Sequence, residues 1–281
     1  MQKFYHKDCP DSVTFIEYVK SHCPDFLEKC NTLSPLDPIH NICNIKNHSL
    51  ILDDVHTLYD EIGPIPWKSQ YYKNLTGLSL SYNPDTNEDE WATHSFGHLR
   101  YRKFLNGSYF EQPSKERQYA VKNDYLDSYG YRRLLLQLKS LTHLSAFLNS
   151  FNLSVIRVTA RTINNSQATE LNSSLGYHTD DNPFEMVRVN LCLDNDGHYG
   201  LQYINSEPSF PKCGDLELIH TNTLHRVFVK PNALKQRTHL IIGLSPWFKY
   251  NEVEDCWEKN EYYGNTHPFD IVKNNLFRKN I

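Results

Sequence analysis

The sequence predicts a mainly β domain of the sandwich or barrel type with helices on its flanks, and three observations carry that expectation. Between residues 154 and 244 lie six short runs (154–163, 186–193, 200–204, 216–220, 225–229 and 237–244) that are β-branched or alternate apolar with polar. Turn clusters divide them closely, among them Asp194-Asn195-Asp196-Gly197, Pro211-Lys212-Cys213-Gly214-Asp215 and Lys230-Pro231-Asn232. Such connections are too short for the crossover helices of a parallel sheet. Before this region the period is helical, and 39% hydrophobic and 13% aromatic residues in a 281-residue chain provide for one large core.

Taken in order, residues 1–75 read as short helices and turns that elaborate the core. Ser12 can cap a helix through about Ser21, and 52–62 is a second helix before the break at Gly63-Pro64-Ile65-Pro66. Residues 76–250 form the main domain. It opens with an alternating strand at 77–82 that ends at Asn83-Pro84, followed by a polar loop to about Tyr125. The clearest helix is 131–149, where Leu134, Leu138, Leu141, Leu144 and Leu148 recur at three- and four-residue steps. Residues 251–281 read as an aromatic, polar tail wrapping the outside.

Composition excludes several functions. The net charge of -4 argues against a chain whose main task is to coat nucleic acid. The opening stretch mixes charged and apolar residues, unlike a secretory signal or membrane anchor, and no stretch approaches the roughly 18 apolar residues of a spanning helix. Seven cysteines, an odd number without CxxC spacing, predict reduced thiols in a cytoplasmic protein.

The chemistry concentrates in Gly176-Tyr177-His178-Thr179-Asp180, with His225 and then Arg237 further along. Residues i and i+2 of an extended strand point to one side, so His178 and Asp180 can face one metal. A second histidine must arrive from a distant strand, which a barrel or jelly roll supplies by folding back. Two imidazoles and a carboxylate on one face of an octahedron leave three positions open, as in non-haem Fe(II) oxygenases. 2-Oxoglutarate would chelate iron through its 2-oxo group and adjacent carboxylate. Its far carboxylate then needs a planar cationic fork, and Arg237 provides one. Alternation in Arg237-Thr238-His239-Leu240-Ile241-Ile242 sends Arg237 and His239 to one side, and the sequence offers that arginine no obvious acidic partner.

Competing features are weaker. His94 and His98 are i, i+4 but lack an adjacent Glu or a third ligand, which favours a surface or core role. His220 has the wrong parity to join His225 at a metal. Basic residues interleaved with Tyr and Phe across 98–140 would suit a nucleic-acid backbone, although a solvated face explains them more simply. Nucleotide-cradling Gly-rich loops and Gly-x-Ser-x-Gly are missing.

At His178-Thr179-Asp180, Met186-Val187-Arg188-Val189-Asn190-Leu191, Gly214-Asp215-Leu216 through His225-Arg226-Val227, and Arg237-Thr238-His239-Leu240, the chain resembles the Fe(II)- and 2-oxoglutarate-dependent oxygenases. Within them it is similar to the aspartyl/asparaginyl β-hydroxylase and proline hydroxylase-like branch, over roughly residues 155–248. The resemblance implies a double-stranded β-helix core (jelly roll, cupin-like) and the metal ligands His178, Asp180 and His225. It also implies Fe(II) as cofactor, 2-oxoglutarate as co-substrate and O₂. Hydroxylation of an amino acid or an amino-acid residue would accompany decarboxylation of the oxoacid to succinate and CO₂. Arg188 stands where that branch places an arginine near substrate or oxoacid carboxylate, with Asn190 on the same strand face. Aspartyl β-hydroxylases often lack the metal carboxylate, whereas Asp180 keeps it, as proline hydroxylases do. This weakens transfer of the aspartyl substrate and argues against halogenation. The alternatives are the same chemistry on nucleic acid, or a non-enzymatic cupin-like module that binds a metal or ligand.

Overall fold

The computed structural model describes residues 2–10, 13–33, 41–63, 65–66, 75–85, 128–163, 177–230 and 236–278. The chain opens with β1 (Lys3–Tyr5), α1 (Phe15–Ser21), α2 (Phe26–Thr32), β2 (Asn41–Asn44) and α3 (His48–Ile62). The short strands β3 (Ile65–Pro66), β4 (Leu75–Ser79), β5 (Ser81–Tyr82) and β6 (Arg133–Leu134) come next, then α4 (Thr142–Asn149). The strand-rich part holds β7 (Ser154–Ile163), β8 (Val187–Asp194), β9 (Tyr199–Tyr203), β10 (Asp215–Ile219), β11 (His225–Val229) and β12 (Arg237–Ser245). It ends with β13 (Phe248–Asn251), β14 (Cys256–Lys259) and α5 (Pro268–Asn275).

A seven-stranded sheet runs β2-β10-β8-β12-β7-β4-β3, and all its described pairings are antiparallel. A smaller sheet pairs β9 with β11, and isolated bridges extend it through His178↔His225 on one side and Leu201↔Ser209 on the other. From β7 the chain alternates between the two sheets. It visits His178 in the small one, β8 in the large, β9 in the small, β10 in the large, β11 in the small and β12 in the large. That alternation is a double-stranded β-helix, the jelly-roll architecture expected.

The large sheet has two unlike faces because its strands alternate. One carries Val158, Ala160, Val189, Leu191, Leu218, Leu240 and Ile242, each fully buried. These join Ile51, Val55 and Leu58 of α3 and Leu144, Phe147 and Leu148 of α4 in one core, where each large side chain contributes roughly 1.5–3 kcal/mol. The opposite face carries the polar residues of the same strands, and it fronts the candidate site.

The expected helix over 131–149 is corrected. Residues 133–134 pair with β5, Leu136–Ser140 is a 3-10 turn, and only Thr142–Asn149 is α-helical. Strand pairing displaces the first helical turns, with the Leu135 amide donating to the Leu80 carbonyl at 3.0 Å. The α4 start is set from α3, where the Asp54 carboxylate accepts from the His143 and Leu144 amides at 2.9 and 2.7 Å. Leu141, the residue at the cap, has no side chain able to do this. We expect Asp54→Ala to cost about 1–2 kcal/mol, read as a lower urea midpoint at unchanged slope.

At the N-terminus, Thr14 caps α1 in a reciprocal arrangement with Glu17, and Ser12 lies outside the described residues. The tail expected on the outside is instead built into the protein. β14 lies between β1 and β13, and Trp257, Phe269, Ile271 and Val272 are buried.

Candidate metal centre

His178 is fixed by two backbone hydrogen bonds with His225, both 3.0 Å, and Asp180 follows by donating its amide to the Thr221 carbonyl at 2.8 Å. This extended stretch beside β11 puts both side chains on one side, next to His225 at the start of β11. His225 Nε2 stands 3.4 Å and His178 Nε2 3.8 Å from Asp180 Oδ2, and the two rings are 4.6 Å apart between centroids. The three potential ligand atoms lie within 4.8 Å of one another. Ligand bonds of roughly 2.0–2.2 Å at right angles would place donors about 3 Å apart, so the triad is slightly open but matched to a single divalent cation. His225 Nδ1 donates to the Thr223 carbonyl at 2.8 Å, which leaves Nε2 as the donor toward the metal.

Burial alone would raise the Asp180 carboxyl. The hydrogen bond from His225 and the charges of Arg188, His178 and His225 outweigh it and hold the group well below the usual carboxylate range. Arg188 ion-pairs with Asp180 and reaches Asp181 at 3.4 Å. Glu185, a plausible surface partner for Arg188, is bound instead by Lys20 at 2.8 Å. Arg188 therefore sits at the triad.

The polar face of the large sheet is ordered by its register. Thr159, Ile241, Asn190 and Glu217 form one row across β7, β12, β8 and β10. Arg161, His239 and Cys192 form the next, and Arg237 lies beyond it, opposite Ile163. Thr159 Oγ1, Arg188 Nε, Asn190 Oδ1, Arg237 Nε and His239 Nδ1 are buried without a hydrogen-bond partner among the described residues. Leaving such an atom unsatisfied costs roughly 1–3 kcal/mol, so these five atoms on one face are available to a polar partner. Arg237 is only 3% exposed. His239 is held well below the ordinary histidine range by burial and by Arg237, Arg161 and Arg188, so it is neutral among three cations.

Glu217 acts on Arg237 electrostatically, although no ion pair between them is formed among the described residues. Sequence reading missed Glu217. The available signal was parity, because Asp215, Glu217 and Ile219 share one side of β10, opposite Leu216 and Leu218.

His220 turns away from the triad, with Nδ1 2.8 Å from Thr223 Oγ1 and its ring edge-on to Phe269. His94, His98 and most of the basic 98–140 stretch lie outside the described residues. Arg132, counted in that stretch, is buried and pairs with Asp85 and Asp255, both at 3.0 Å, so it presents no charge to a nucleic acid.

No family model matches the sequence, and no curated protein matches it either. Solved structures to which this chain is similar include a prolyl hydroxylase from Trichoplax adhaerens in complex with a hypoxia-inducible-factor peptide fragment. It is 14% identical with a TM-score of 0.37, over 84% of this chain and 95% of that one. The non-heme alpha-ketoglutarate-dependent epimerase SnoN from nogalamycin biosynthesis is 7% identical with a TM-score of 0.38, over 74% and 76%. An oxidoreductase of the 2OG-Fe(II) oxygenase family from Burkholderia pseudomallei is 13% identical with a TM-score of 0.31, over 68% and 76%. The strand order, not these likenesses, defines the fold of this chain. Among the described residues, no helix is long and apolar enough to cross a membrane.

Proposed function

We propose that this chain is an Fe(II)- and 2-oxoglutarate-dependent hydroxylase acting on an amino acid or an amino-acid residue of a peptide or protein. The observation that carries the reading is the convergence of His178, Asp180 and His225 within 4.8 Å, facing a sheet from which the buried, partnerless Arg237 Nε projects. Two imidazoles and one carboxylate suit Fe(II) and leave positions for a chelating oxoacid. When bound, the iron would activate O₂, the oxidant, and the oxoacid would be its two-electron co-reductant, for C–H hydroxylation.

The protein's own residues bind and orient. His178, Asp180 and His225 hold the metal, and the Thr223 carbonyl fixes the His225 tautomer. Arg237 grips the far carboxylate of the oxoacid as a planar fork. Arg188, beside Asp180, and Asn190, on the same face of β8, would meet a substrate carboxylate. Tyr199 and Tyr203, their phenols pushed up to about 12 by burial, stay neutral and help exclude water from the small-sheet side. Residues 76–250 are assigned as the oxygenase domain, braced by 1–75 and 251–281. The cysteines described, all free, suit a cytoplasmic setting.

Succinate release from 2-oxoglutarate by the Fe(II)-loaded chain, screened against amino acids and peptides, tests the reading. Metal binding without succinate under every condition would leave a cupin-like binding module instead. Arg188→Ala should weaken metal affinity by about 10–100-fold, because Arg188 supports the ligand Asp180. At saturating Fe(II) the variant should still turn over 2-oxoglutarate slowly but lose stimulation by substrate. Loss of both turnovers together would remove Arg188 from the substrate site.

A further inference from the structure

Glu217 is a buried acid on the polar face of the large sheet, apart from the metal triad. It is 7% exposed and lies directly across from Asn190 in the row between the metal end and Arg237. Among the described residues, five groups act on it. Arg237 faces it from β12, Cys192 from β8 and Tyr203 from β9, Asp215 stands on its own strand, and the Ser209 side chain hydrogen-bonds to it. Cys192 and Tyr203 are neutral, each pushed up to about 12 by burial. Among the described residues, Arg237 is the cation acting on Glu217.

Charge balance then decides what Glu217 does when a dicarboxylate binds. One carboxylate of the oxoacid goes to the metal and the other to Arg237. An ionised Glu217 would place a second anion near Arg237, at a buried site where like charges repel strongly. A protonated carboxyl removes that repulsion and supplies an O–H donor.

Resting on the function proposed above, we infer that Glu217 is a positioning residue for the oxoacid, presenting its carboxyl group to the bound dicarboxylate as a hydrogen-bond donor beside Arg237. Burial first, then Asp215, pushes its carboxyl up to about 7 against the pull of Arg237, so the donor form is present on the acid side of neutrality. The sign follows from linkage. A group raised above its ordinary value holds its proton below about pH 7, and above that pH a proton must be taken up for the oxoacid to bind.

The test is calorimetric titration of the Mn(II)-loaded full chain with 2-oxoglutarate at pH 6.5 and 8.5, in buffers of different ionisation enthalpy. We expect close to one proton taken up per oxoacid at pH 8.5 and about a quarter of one at pH 6.5. The dissociation constant should rise toward tenfold per pH unit above neutrality. Glu217→Gln, a neutral donor of the same shape, should bind at pH 8.5 more tightly than the native chain and without proton uptake. The proton count in the native protein decides the question even if that variant fails to fold. Binding without proton uptake, or a Gln variant that loses 2-oxoglutarate at both pH values, overturns the role of Glu217 and leaves the proposed function standing. A native chain that binds no 2-oxoglutarate at either pH overturns both.

Discussion

His225→Ala is expected to reduce Fe(II)-dependent succinate formation by at least about 100-fold, because even residues behind a metal ligand change affinity by 10–100-fold. His225 occupies the point where the three parts of the site meet. Its backbone bonds His178 in both directions, its Nε2 stands 3.4 Å from Asp180 Oδ2, and its Nδ1 is committed to Thr223. Removing the imidazole leaves the two remaining ligands on one short segment, which cannot close a facial triad. Equilibrium dialysis with Fe(II) or Mn(II) should show the loss directly, with circular dichroism unchanged. A variant that keeps native metal affinity would place the metal elsewhere.

Arg237→Lys is expected to raise the KM for 2-oxoglutarate by about 30-fold, roughly 2 kcal/mol, while metal affinity stays nearly native. Lysine keeps the charge but not the bidentate fork, and its compact ammonium is harder to strip of water in so buried a site. Arg237 lies on the large sheet and the His178–Asp180–His225 triad on the small-sheet side, so the two effects are expected to separate. Initial rates against 2-oxoglutarate, alongside metal titration of the same variant, measure both. Equal loss of metal binding would make Arg237 a structural residue.

The features legible in the sequence were those governed by strand parity. Runs 154–163 and 225–229 match β7 and β11 end to end, and 186–193 is displaced by one residue from β8. The i, i+2 relation of His178 and Asp180 and the inward parity of Arg237 and His239 follow from the same rule. What stayed hidden depends on partners distant in sequence. The leucine spacing over 131–149 looks helical throughout, but β5 claims residues 133–134 and Asp54 fixes where α4 begins. Glu217 among leucines reads as a solvent-facing acid until the second sheet is known to cover that side. The tail looked superficial because its apolar residues are spaced among charges, yet Trp257 and Phe269 are buried. The pairing of Arg188 with Asp180 needed the turn that brings β8 back beside the triad.

The central claim is that one metal held by His178, Asp180 and His225 consumes 2-oxoglutarate and O₂ together. Mass analysis of succinate formed by the Fe(II)-loaded chain under ¹⁸O₂ tests it most directly. The account predicts one ¹⁸O atom in each succinate, with none formed by Asp180→Ala or without Fe(II). A metal-loaded native chain that leaves 2-oxoglutarate intact, with every candidate substrate class supplied, would contradict it.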